Sequence, residues 1–157
     1  MAVNYTVPLS KVIKEFSLKE LFMPCPPEKI EIASMDVNRP GLELTGFFDY
    51  YDTRRILIFG NAETAYLKSV PRGAREKVLC DLFSKKPPAA IIARGLEPLP
   101  EVSEAAKAHG VPLLGSPETT SALIAALVSY LHVEMAPRIT RHGVLVEVYG
   151  EGILLVG

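Results

Sequence analysis

Apolar side chains recur at helical spacing through Lys11-Val12-Ile13-Lys14-Glu15-Phe16, a stretch opened by Pro8-Leu9-Ser10, and predict a first helix. Pro24, Pro26 and Pro27 end it. Glu28-Lys29-Ile30-Glu31-Ile32-Ala33 then alternates polar and apolar residues, the period of a strand with one buried face, and the turn signals Asn38, Pro40 and Gly41 follow. Arg55-Ile56-Leu57-Ile58-Phe59-Gly60 is a continuous apolar run closed by glycine, as expected of a central strand covered on both faces. A helix is predicted directly after it, with Asn61 as cap and Glu63 complementing the helix dipole. Pro71-Arg72-Gly73 separates it from a second helix that carries Val78, Leu79, Leu82 and Phe83 on one face and stops at Pro87-Pro88.

The remainder alternates strand and helix: Ala89 to Ala93, Glu101 to His109, Val111 to Leu114, and Pro117 to about His132. That order predicts an α/β fold, a mixed or parallel sheet flanked by helices. The last helix has Ser116 as expected cap, Pro117 at its first position and Glu118 beside its positive end, with a core stripe of Leu123, Ile124, Leu127, Val128 and Leu131. Past Pro137, Val144 to Tyr149 and Ile153 to Val156 are two apolar runs joined by Gly150-Glu151-Gly152, the pattern of a β-hairpin. An apolar strand one residue before the last residue, Gly157, would expose unpaired backbone, so the sequence is expected to continue into a further domain. The expected organisation is an α/β domain over residues 1–134, then a linker and the truncated start of another domain over 135–157.

A length of 157 residues suits one main core. Apolar residues make up 48% and charged residues 22%, a globular balance; 17 basic against 18 acidic side chains leave a net charge of −1, which offers no field for nucleic acid or acidic lipid. The longest apolar run, Ala122 to Val128, is far short of the about 20 residues a membrane-spanning helix needs. Met1-Ala2-Val3-Asn4-Tyr5 carries no secretory pattern, so the cytoplasm is the expected compartment, and Cys25 and Cys80 are expected as reduced thiols.

The residues offer little catalytic chemistry. His109, His132 and His142 are far apart, with no metal-ligand spacing, and no metal site is expected. No GxSxG, GxGxxG or complete GxxxxGK[ST] occurs, so the 157 residues alone are expected to be catalytically inactive. Arg39 and the pair Arg54-Arg55 are possible anion contacts, although arginines at turns and strand starts usually face water. His109 and His132 read as surface residues near helix ends. His142, beside Gly143 and ahead of a strand that leads to a glycine, reads from spacing alone as structural.

The stretch Met135-Ala136-Pro137-Arg138-Ile139-Thr140-Arg141-His142-Gly143-Val144 and onward to Gly157 resembles the segment that enters the catalytic domain of bacterial HPr kinase/phosphorylase. Upstream, Asn38-Arg39-Pro40-Gly41-Leu42, Leu44-Thr45-Gly46-Phe47-Phe48, Arg55-Ile56 through Phe59-Gly60, Glu63 and Tyr130-Leu131 resemble that family's N-terminal domain. One departure is Leu57, where the family usually has Gln after Arg-Ile, which removes any polar task at that position.

The resemblance implies that Gly157 opens a phosphate loop whose lysine and serine lie further on, and that His142 is an active-site residue near the phosphates and metal. It implies a parent enzyme that phosphorylates a serine of the phosphocarrier protein HPr with ATP or pyrophosphate and magnesium, and reverses the step by phosphorolysis. That activity links carbon supply to gene regulation. A homo-oligomer, a hexamer, is expected, with no nucleic acid or membrane partner. The family's N-terminal fold is similar to the first domain of the UDP-N-acetylmuramoyl ligases, and Asn38-Arg39-Pro40-Gly41 resembles their Ser-Arg loop. Two other roles follow for the domain: a module that binds a sugar phosphate or sugar nucleotide, or an oligomerisation module.

Overall fold

A computed structural model describes residues 6–136. Its centre is a five-stranded mixed sheet in which β4 (Val37–Asn38), β5 (Ile56–Phe59), β6 (Ala90–Ile92) and β7 (Leu113–Gly115) run parallel in chain order. The strand β2 (Lys19–Phe22) closes the far edge antiparallel to β7. A separate two-stranded ribbon pairs β1 (Val7–Pro8) with β3 (Glu31–Ile32).

Helices cover both faces. Because side chains alternate along a strand, Ile56 and Ile58 face one way and Leu57 and Phe59 the other. On the first face, Ile56, Ile58, Ile91 and Leu114 pack with Leu9 and Val12 of α1 (Leu9–Phe16) and with Leu123, Leu127 and Leu131 of α5 (Thr120–Met135). On the second, Leu57, Phe59, Ile92 and Leu113 pack with three helices. These are α2 (Asn61–Ser69) through Leu67, α3 (Arg72–Ser84) through Leu79, Leu82 and Phe83, and α4 (Pro100–His109) through Val102 and Ala106. Burial on both faces explains why β5 reads as an unbroken apolar run. Leu57 is wholly buried on the second face, so its apolar side chain fits the core.

Several sequence-based boundaries shift. Glu28 to Ala33 is not one strand: Pro27–Lys29 forms a 3-10 turn and only Glu31–Ile32 pairs, because Pro26 and Pro27 hold the backbone in a turn. Asn61 does not cap α2. Gly60 occupies that position, and the Glu63 carboxylate accepts the Gly60 N–H at 2.8 Å instead. Ser116 does not cap α5, because its backbone is already engaged: its N–H donates to Ile92 O and its carbonyl accepts from Gly95. Its hydroxyl accepts the Glu118 N–H, and α5 starts later, with Thr119 Oγ1 accepting from Ala122. The strand β2 was not anticipated, since Lys19-Glu20-Leu21-Phe22 shows no alternation. The expected hairpin, Val144 to Val156, lies outside the described residues.

Candidate functional site

The arginines nominated by the sequence fall at two opposite edges of the sheet. Arg39 follows β4 and so lies at the carboxyl edge of the parallel strands, whereas Arg54 and Arg55 precede β5 at the amino edge. Arg39 grips Glu63 with two hydrogen bonds, Nε to Oε2 at 3.0 Å and Nη2 to Oε1 at 3.1 Å. Glu63, in the first turn of α2, is nearly buried and also accepts the Gly60 N–H. Burial pushes its carboxyl up, but the bonds from Arg39, from Gly60 and from its own amide outweigh that and hold it below the ordinary carboxylate range. The Asn38-Arg39-Pro40-Gly41 loop is thereby pinned to the start of α2.

At the amino edge, Asp52 collects both arginines. Its Oδ1 accepts the Arg54 backbone N–H at 2.9 Å and Nε at 3.1 Å, and its Oδ2 accepts Nη2 at 2.9 Å. These side-chain and backbone bonds from Arg54 hold the Asp52 carboxyl at about 2. Arg55 lies 3.8 Å from Asp52 and 3.9 Å from Asp36. An anion at either edge would therefore compete with a resident carboxylate. Nearby, burial pushes the Tyr51 phenol up to about 12, so it stays protonated at neutral pH. His142 and Gly157 lie outside the described residues.

Two features escaped the sequence reading. The first is a clamp between helices: Arg75 donates from Nε to Leu67 O at 2.7 Å and from Nη2 to Val70 O at 3.1 Å, satisfying the end of α2. Its Nη1 also reaches Glu101 Oε1 on α4 at 3.2 Å. The Glu101 carboxyl is held low by its own backbone amide, against the effect of burial, and then by Arg75 and Arg72. Only the tertiary fold brings these residues together.

The second is a cavity of about 300 Å³ beyond the carboxyl ends of β6 and β7, walled on its far side by β2. In sheets with parallel strands, ligands bind at this edge. Two loops meet there: Arg94 donates its backbone N–H to Glu118 O at 2.7 Å and Gly95 to Ser116 O at 2.8 Å. Arg94 and Gly95 are both left-handed, with φ of 63° and 65°. Pairing of β2 with β7 shifts between Glu20 and Phe22, leaving Leu21 as the extra residue of a bulge that lines the cavity. Without the strand β2, no sequence signal marks this place. Among the described residues, no group of three His, Cys, Asp or Glu side chains is arranged to hold a metal ion.

A mixed sheet between two helical layers, with loops gathered at the carboxyl edge, defines a three-layer α/β domain. The chain belongs to the family described as HPr Serine kinase N terminus, whose model matches residues 7–131. It is 43% identical over 157 residues to the HPr kinase/phosphorylase of Lachnoclostridium phytofermentans, covering 98% of this chain and 50% of that protein. It is 44% identical over 149 residues to the HPr kinase/phosphorylase of Caldicellulosiruptor bescii, covering 95% and 48%. The chain thus spans about half the length of these curated relatives. Among solved structures, it is similar to the CBS and DRTGG domains of the regulatory region of Clostridium perfringens pyrophosphatase complexed with diadenosine tetraphosphate. That match has a TM-score of 0.58 and 14% identity, and covers 91% of this chain and 56% of that one; it speaks to fold alone.

Proposed function

We propose that residues 1–134 act as the regulatory or scaffold domain of an HPr kinase/phosphorylase. The parent enzyme phosphorylates a serine of HPr with ATP or pyrophosphate and removes the phosphate by phosphorolysis, in the cytoplasm, as part of carbon catabolite repression. The observation that carries this reading is the family match over residues 7–131, joined to relatives of that name at 43% and 44% identity. In this reading His142 stands near the transferred phosphate, Gly157 opens the phosphate loop, and the 157 residues alone do not turn over substrate.

In this reading magnesium and the nucleotide are held by the catalytic part of the parent enzyme. A supporting role is favoured by two cores that share one sheet and by the Arg39–Glu63 and Arg75–Glu101 pairs that tie loops and helices around it. The parent protein assembles as a hexamer.

The test is to incubate the intact gene product with HPr, ATP and magnesium and to examine HPr by mass spectrometry. Phosphoserine on HPr is expected, and strongly reduced transfer in His142→Ala. HPr left unmodified by the intact, folded protein would sink the proposal.

A further inference from the structure

The cavity beyond β6 and β7 carries two opposite charges that have no partners of their own. Lys19 and Glu97, both exposed to solvent, line it, and neither side chain takes part in a hydrogen bond or ion pair among the described residues. The rest of the lining is mainly apolar, with Leu21, Leu96, Pro98 and Pro117 beside Ser17 and Ser116. Its volume, about 300 Å³, is that of a small-molecule site. Gly115 also lines it, and a methyl group there would sit 3.6 Å from Leu21 Cδ1 and 4.0 Å from Lys19 Cβ, in ordinary contact with two of the lining side chains.

From this arrangement we infer that the cavity binds a small zwitterion with an apolar body, the chemistry of a free α-amino acid with an apolar side chain. The ligand carboxylate pairs with Lys19, its ammonium with Glu97, and its side chain with the leucine and proline walls. A sugar phosphate or nucleotide suits the place poorly. A dianion would meet one ammonium while facing Glu97, with Glu15 and Glu118 lining the adjoining hollow that shares Ser17 and Pro117. The inference goes beyond the kinase reading and does not depend on it, since it concerns no phosphoryl transfer.

The test is titration of this chain with L-leucine, followed by amide proton–nitrogen NMR, beside N-acetyl-L-leucine, L-leucinamide and glucose 6-phosphate. L-leucine is expected to give saturable shifts at Gly95, Leu96 and Gly115. Blocking either charge on the ligand should weaken binding by about tenfold or more, the equivalent of one charge-assisted contact. Lys19→Met and Glu97→Gln should each weaken L-leucine similarly while the rest of the spectrum stays in place. The inference is overturned if L-leucine gives no saturable shifts at these residues, if the two blocked ligands or glucose 6-phosphate bind as well as L-leucine, or if Lys19→Met and Glu97→Gln both bind unchanged. The ligand comparison needs no variant, so a misfolded substitution leaves it decisive.

Discussion

At Gly60 the chain meets its tightest constraint. A Cβ there would overlap Thr120 Oγ1 and lie 3.2 Å from Thr120 Cβ, so the end of β5 and the start of α5 touch through a missing side chain. Gly60→Ala should cost about 1–3 kcal/mol, because either α5 or β5 must move, and urea denaturation would measure it. Thr120 Oγ1 is itself buried without a hydrogen-bond partner. Thr120→Val keeps the branched shape and removes that stranded hydroxyl, so it should leave stability unchanged or raise it slightly in the same assay. The sequence showed the glycine as the close of a strand, but the neighbour that demands it is distant in the chain and invisible to local patterning. Glu63 was legible as a first-turn acid, whereas its grip on Arg39 was not, because that pairing joins a loop and a helix across two strands.

Asp52 and Glu63 both have carboxyls held below their ordinary range, which fixes the sign of the acid response. A depressed carboxylate adds stability above its unfolded-state value and loses it as pH falls through the folded one. Stability should therefore decline below about pH 4, with the Asp52 share disappearing as pH approaches about 2. Arg54→Ala should flatten the Asp52 part of that decline in a series of denaturation curves against pH.

Among the elements, α5 separates sequence signal from structure most clearly. Ser116-Pro117-Glu118 has the composition of a helix start, yet the Ser116 backbone bridges Ile92 and Gly95 and holds the segment as a loop. Thr119 is the residue that caps, so Thr119→Ala should cost about 1 kcal/mol, while Asn61→Ala should cost little because Asn61 makes no cap. The layer of α2, α3 and α4 depends on Arg75, whose guanidinium serves the Leu67 carbonyl of α2, the Val70 carbonyl just past its end and a carboxylate of α4. Arg75→Met keeps the stem and removes these bonds, and should lower stability by about 2 kcal/mol. The helices were readable from the spacing of their apolar residues, and β5 to β7 from short apolar runs between turn signals. The strands β2 and β4 were not, since a short edge strand is defined by its partner more than by its own residues.

At the scale of the whole molecule, the alternation of strand and helix announced an α/β domain, and the order of the sheet follows it except where β2 turns back beside β7. That reversal builds the wall of the cavity, which is why the cavity had no signature in the sequence. The arginines named as possible anion contacts, Arg39 and the pair Arg54-Arg55, are divided between two edges, each edge holding a carboxylate partner. The family was legible through resemblance, and the match over residues 7–131 bears that membership out.

The most direct test of the account is the reverse reaction of the intact gene product. Given serine-phosphorylated HPr and excess inorganic phosphate with magnesium, it should release pyrophosphate in an amount equal to the HPr dephosphorylated. Phosphate transfer in neither direction, or loss of the phosphoserine without pyrophosphate, would contradict it.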